Sequence, residues 1–306
     1  MITDEPALEI EKTVAGPSDG LKYMKELDEK LKNGLTRVTH PDESDREGQV
    51  IEGKEYDFNG RDGRMLRVKH DNVKIRNCKF RDNRGEPVLV IANSKNVEIE
   101  DCIFENITAG GGTNREPLRI GEDGGESGLS LNCKVRRCIF RNNSAEKEII
   151  SIKSANNTIE DCFFIDNDGN VTVRHGGLTK IRHNYFEGKN GVRIYGYGNR
   201  VEYNCFKDNS GSERVGPIGL WYGNDDKDQN WDWEDEDKMI SKPSEDPNGN
   251  HEEYARAVDT VIKGNEFKNC NNDIVEVEDG NSRDPKGTKR EHNENVEKFT
   301  FEKNEE

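Results

Sequence analysis

Apolar residues are scarce in this chain of 306: they make up 30%, against roughly 45–50% in ordinary globular domains. No apolar run is long enough to cross a membrane as a helix. The opening stretch, MITDEPALEIEK, is acidic and lacks an apolar core, so no signal peptide is expected in the chain as given. Positive charge is outnumbered: 46 Lys and Arg stand against 62 Asp and Glu, a net of −16. Phosphate recognition needs clustered Lys and Arg, so neither nucleic acid nor an anionic membrane is an expected partner. Charged residues at 35% with so few apolar ones would suit a disordered chain. An internal repeat says otherwise.

The pattern (Ile/Val)-x-x-(Cys/Asn)-x-Phe begins at Ile75, Ile99, Val135, Ile159, Ile181, Val201 and Ile262, with a weak last copy from Val296 to Phe301. Starting positions step by 24, 36, 24, 22, 20, 61 and 34. A basic step of roughly 20–24 residues with Asn/Gly turns suits one coil of a parallel β-helix. A single coil cannot bury its own inner face. Stacked coils set Ile on Ile and Phe on Phe in one continuous core, which lets a chain poor in apolar residues fold. A leucine-rich repeat, the competing solenoid, needs Leu at fixed offsets where this chain has Ile, Val and Phe. Of the seven cysteines, Cys78, Cys102, Cys138 and Cys162 share one repeat position. The odd count and the lack of a CxxC pair favour a ladder of small buried residues over disulfides or a metal site.

Residues 1–70 read as an N-terminal cap with first coils, and 71–301 as the β-helix. Within the cap, 18–34 has Leu21, Met24, Leu27 and Leu31 near one face, a capping Ser18 or Asp19 and a terminating Gly34, so a helix is expected. Solenoids need covered ends, and this helix is expected to be the lid on the first coil. Residues 225–250 carry no repeat and account for the step of 61; they read as an acidic inserted loop, whose Trp231 and Trp233 could stack on sugar rings.

The chemistry concentrates in EKEIISIKSANNTIEDCFFIDNDGNVTVRHG, residues 146–176. Glu146 and Glu148 are two apart, so on a strand they point the same way. Arg174 lies 21 residues beyond Lys153, close to one coil, which sets the two side by side on neighbouring coils. Two carboxylates, a lysine and an arginine can thus gather on one lateral face. A surface salt-bridge ladder would use the same residues.

These residues resemble a known family. Glu146–Ser154 (EKEIISIKS), Val171–Gly176 (VTVRHG) and Gly191–Ile194 (GVRI) are similar to motifs of polysaccharide lyase family 6, which contains alginate lyases and chondroitinase B. Asn114–Gly121 (NREPLRIG) is similar to the family's N-x-x-E-x-[IL]-R-I-G segment, one residue shorter between Asn and Arg. The resemblance covers roughly 70–301 and is tightest over 114–206. It implies a right-handed parallel β-helix. It also implies calcium ligands at Asn114, Glu146 and Glu148, a catalytic base at Lys153, an acid at Arg174, and substrate contacts at Arg119, His175 and Arg193. The family's G-x-G-H reads Gly196-Tyr197-Gly198-Asn199 here, so the histidine is lost.

The implied activity is β-elimination from a uronate polymer, with alginate placed first and dermatan sulfate as an alternative. Such a reaction removes the barely acidic C5 proton beside a carboxylate and expels the C4 oxygen. A hard cation such as Ca2+ neutralises that carboxylate, and a lysine acts as base in its neutral form, which neighbouring cations favour. Arginine is a poor proton donor, so Arg174 is expected first to stabilise the leaving oxygen electrostatically. His175 could instead hydrogen-bond within the ladder, and Arg119 and Arg193 could pair with surface carboxylates. Two rivals remain: a non-catalytic carbohydrate-binding β-helix and a uronate C5-epimerase. A polymer substrate implies a secreted or periplasmic location. The sequons at Asn106 and Asn170 fit chance in an Asn-rich chain.

Overall fold

The computed structural model describes residues 17–84, 86–108, 114–122, 129–211, 217–221, 257, 260–270, 275–278 and 300–302. The acidic loop 225–250, with Trp231 and Trp233, lies outside the described residues. Every strand pair is parallel, and each strand pairs with the one a coil away, so the chain is a parallel β-helix with three faces. One face carries the Ile/Val of the repeat in register, Ile51↔Ile75↔Ile99↔Val135↔Ile159↔Ile181↔Val201↔Ile262. The next carries the aromatic positions, Tyr56↔Phe80↔Phe104↔Phe140↔Phe164↔Phe186↔Phe206↔Phe267. The third carries the site. No described helix is long and apolar enough to cross a membrane.

The spacing of strands, ~4.8 Å, brings each ring onto the next. Ring centroids lie 4.6–5.2 Å apart and the planes differ by no more than 9°. Beside the rings runs the cysteine ladder. Cys78, Cys102, Cys138 and Cys162 are buried free thiols, and each Sγ–H points to a carbonyl oxygen of its own or the preceding coil. From Asn184 onward the same position is asparagine. Asn204 Oδ1 accepts from both Asn184 N and Asn184 Nδ2 at 3.0 Å, and Asn265 Oδ1 does the same for Asn204. The residue just before this ladder takes the left-handed conformation in every copy: Asn77, Asp101, Arg137, Asp161, His183 and Tyr203 have φ of 51–55° and Gly264 62°.

Two expectations need correction. The helix forms, over Pro17–Lys30, but it does not lie over the open end of the first coil. It lies along the flank, where Leu27 and Leu31 pack with Ile103, Ile139, Phe163 and Tyr185. The reason is an apolar stripe that faces outward on four successive coils and would otherwise meet water. Tyr23 donates to Asp101 Oδ1 at 2.7 Å, and Arg141 grips Asp28 through two bonds of 2.7 Å. Gly20 lets the helix come close, because a Cβ there would sit 2.5 Å from the Phe163 ring. The weak last copy is also shifted: Phe301 pairs with Ile262, at the Ile position and not the Phe position.

Candidate active site

The third face is built by Leu66–Val68, Leu89–Ile91, Leu118–Ile120, Glu148–Ile152, the later parts of Phe163–Val173 and Tyr185–Ile194, and Ile218–Trp221. Alternation turns Leu118, Ile150, Val171, Val192 and Ile218 into the core, and likewise Ile120, Ile152, Val173, Ile194 and Leu220. Between these two apolar rows runs an outward row, Arg119↔Ser151↔Thr172↔Arg193. Arg119 and Arg193 are three rungs apart, about 14 Å at the usual strand spacing.

Lys153 and Arg174 each follow the paired residues Ile152↔Val173 by one position, so they stand on neighbouring coils as the spacing of 21 implied. Their backbone N–H groups donate to Ile120 O at 2.7 Å and Ile152 O at 2.8 Å. Lys153 is 1% exposed. Gly121 makes room for it: φ is +93°, and a Cβ there would sit 2.9 Å from the Lys153 carbonyl oxygen.

Glu146 and Glu148 do come together, but not by strand alternation. Glu146 precedes the strand, whose register shifts between Glu148 and Ile150. Glu148 is buried, and its Oε1 accepts from Arg193 Nη2 at 2.5 Å, with Arg174 Nη1 at 3.8 Å. Burial opposes ionisation of Glu148, yet Arg193 and Arg174 outweigh it and hold its carboxyl below the usual range. Glu146 is raised, first by burial and then by the charges of Glu116 and Glu148. Its Oε2 accepts from Arg115 N at 3.3 Å. Asn114, at φ +63°, accepts from Arg119 Nη2 at 2.9 Å. Arg119 Nε donates to Glu116 Oε1 at 2.5 Å. His175 follows Arg174 and is buried, 3% exposed.

Three contributors escaped the sequence. Glu116, 2% exposed, anchors Arg119; the signal was a Glu three residues before an Arg inside the NREPLRIG segment. Tyr195 lies beneath Arg193, whose guanidinium carbon is 5.6 Å from the ring centre. Thr172 sits on the outward row with its Oγ1 buried and without a hydrogen-bond partner among the described residues. Asn199, in place of the family's histidine, is an internal brace: it accepts from Thr179 N at 3.1 Å and donates to Tyr195 O at 2.9 Å.

Asn114, Glu146 and Glu148 are the residues that the family resemblance implies as calcium ligands. Oxygen donors are of the right chemistry for a hard cation. However, Asn114 Oδ1 and Glu148 Oε1 already accept from guanidiniums. Among the described residues no group of three or more His, Cys, Asp and Glu is arranged to hold a metal. The set as it stands does not fit a calcium cage.

The sequence model of the chondroitinase B family matches residues 55–297. No curated protein matches the chain. Among solved structures, the PL6 family polysaccharide lyase Pedsa3628 from Pseudopedobacter saltans shares the fold, with TM-score 0.51 and 18% identity over 74% of this chain and 63% of that one. Alginate lyase AlyF-OU02 in complex with G6 aligns with TM-score 0.49 and 13% identity over 80% and 69%. A mannuronic acid specific family 6 lyase from human gut microbiota aligns with TM-score 0.48 and 19% identity over 74% and 62%.

Proposed function

The chain belongs to the chondroitinase B family, a group within polysaccharide lyase family 6, and from that premise we infer that it cleaves a uronate polymer by β-elimination. The observation that carries the inference is Lys153, buried on the coil beside Arg174 with the Glu148–Arg193 pair alongside. The Lys153 amine takes the C5 proton. The electrons left on C5 form the C4–C5 double bond, and the C4–O bond breaks with its pair going to the oxygen. Arg174 stabilises that oxyanion, which takes a proton from solvent, and Lys153 gives the C5 proton up to solvent. Arg119 and Arg193 bind the polymer's carboxylates from the two ends of the outward row. His175, the buried residue after Arg174, is kept as a further substrate contact.

We place alginate first as substrate, with dermatan sulfate as the alternative that the family's name supports. A polymer of this size is cut outside the cytoplasm, which suits a secreted or periplasmic enzyme. The test is ultraviolet absorbance of the unsaturated product on polymannuronate, polyguluronate, alginate and dermatan sulfate. Absorbance that grows with one polymer and vanishes in Lys153→Ala supports the reading. No absorbance on any of them, with the polymer bound or epimerised instead, replaces it with one of the two rivals.

A further inference from the structure

Every residue that resembles a calcium ligand in this family is engaged by the chain itself. Glu148 accepts from Arg193 at 2.5 Å, with Arg174 at 3.8 Å. Asn114 accepts from Arg119 at 2.9 Å, and the same guanidinium is fixed by Glu116 at 2.5 Å. Glu146 accepts from the Arg115 backbone at 3.3 Å. Calcium takes about six to eight oxygens at roughly 2.3–2.6 Å. Here it would have to strip Glu148 and Asn114 of hydrogen bonds from cations, which are among the stronger kinds.

Charge balance points the same way. Among the described residues the carboxylates are Glu116, Glu146 and Glu148, and the cationic side chains among them are Arg119, Arg174, Arg193 and Lys153. With Lys153 left out of the count, three guanidiniums answer three carboxylates. A dication gains little from such a cluster, whereas a uronate carboxylate meets cations on both sides. Arg193 is the best placed. Its side chain is 17% exposed, Glu148 holds one edge of it, and the Tyr195 ring lies under it. A guanidinium matches a carboxylate in shape, with two parallel donors.

We propose that this chain neutralises the substrate carboxylate with the Arg193 guanidinium, held in place by Glu148 and Tyr195, and that its site binds no calcium. The proposal rests on the lyase reading for the role of Arg193, but its metal half does not. In a lyase of this design the family's carboxylates have changed task, from holding a cation to holding an arginine.

The experiment uses the full chain, stripped with chelator and dialysed. Terbium luminescence and calcium-dependent melting are read first, because neither needs turnover. The expected result is no saturable terbium signal that Glu148→Gln removes, and no rise in melting temperature with calcium. The rate of unsaturated-product formation should stay within about twofold after chelation. Arg193→Ala should lose at least about tenfold in kcat/KM, as expected when a charge-assisted contact to substrate goes. It should also gain terbium binding, because Glu148 is released. One terbium bound to the unaltered chain and lost in Glu148→Gln overturns the metal half, whether or not the protein is active. Unchanged turnover in a folded Arg193→Ala overturns the Arg193 half. A chain that makes no unsaturated product from any polymer sinks the lyase reading, and with it the role of Arg193; the terbium result stands apart from both.

Discussion

Inside the coil, eight aromatic rings from Tyr56 to Phe267 follow one another at a single register position. On the adjacent face, Arg119, Ser151, Thr172 and Arg193 occupy another single position on the same strand spacing. The backbone treats both rows alike; the side chains do not. The aromatic row repeats one chemistry, so every rung contributes the same stacking, about 0.5–1.5 kcal/mol per pair beyond burial. The outward row does not keep to one chemistry. It sets two short hydroxyls, Ser151 and Thr172, between two long cations, leaving floor between the arginines. Repetition on a solenoid marks what folds it, and its interruption marks what the solenoid carries.

The sharpest way to break this contrast is one substitution in each row's neighbourhood, read by both turnover and stability. Lys153→Ala should cost at least ~10³-fold in turnover, within the range for removing a general base, while the melting temperature holds. Phe164→Ala should do the reverse. Phe164 stacks between Phe140 at 5.0 Å and Phe186 at 4.6 Å, and its truncation should cost about 3–5 kcal/mol in urea unfolding. The folded fraction should keep its turnover. If Lys153→Ala unfolds the chain, or Phe164→Ala costs less than ~1 kcal/mol, the two rows are not divided in this way.

A finer contrast lies within the core. One repeat position is cysteine up to Cys162 and asparagine from Asn184. Cys102 is a weak sulfur donor, 3.2 Å from Glu100 O and 3.8 Å from Ile75 O, so Cys102→Ala should cost about 1 kcal/mol. Asn204 holds five hydrogen bonds through its backbone N–H and side chain, two of them to the coil before it through Oδ1. Asn204→Ala strands buried partners on both sides and should cost about 2–3 kcal/mol. Equal costs by chemical denaturation would mean the two ladders are interchangeable filler.

The same contrast explains what could be read from the amino-acid order. The Ile and Phe rows were legible because they repeat, and Lys153 beside Arg174 was legible because 21 residues is nearly one coil. The helix position is written in the sequence too, in a subtler form. The residue before each Phe is Ile103, Ile139, Phe163 and Tyr185 in four successive copies, an apolar outward position that demanded a cover. The proximity of Glu146 to Glu148 could not be derived from strand alternation, because one of them is not on the strand. Nor could the arginine that each acceptor would choose, since that depends on side chains reaching across rungs.

The smallest effect, and the most discriminating, concerns Asp101 and Asp161. Both precede a ladder cysteine, and both hold φ near +50°, at 51° and 55°. Their surroundings differ. Burial works against ionisation of Asp101, but Arg137 Nε at 2.8 Å and the Tyr23 hydroxyl at 2.7 Å outweigh it and hold its carboxyl below the usual range. Asp161 is raised, first by burial and then by Glu160, and its Oδ1 has no hydrogen-bond partner among the described residues. The signs are therefore opposite. A lowered carboxyl stabilises the fold above the unfolded value, near 3.9, and loses that stabilisation as pH falls through the folded value. A raised one binds its proton more tightly in the fold, so stability is lost as pH rises through the folded value. Asparagine has the same shape and tolerates the left-handed backbone, so Asp→Asn removes only the charge. At pH 7, Asp101→Asn should destabilise by about 1 kcal/mol, discounted for partial exposure of the pair. Asp161→Asn should stabilise by about 0.5–1 kcal/mol. Both differences should shrink toward zero below pH 4, where the native residues are themselves taking up protons. Urea unfolding of the two variants across that range checks it, and shifts of the same sign would show that the helix, through Tyr23, does not set the charge state of the coil it covers.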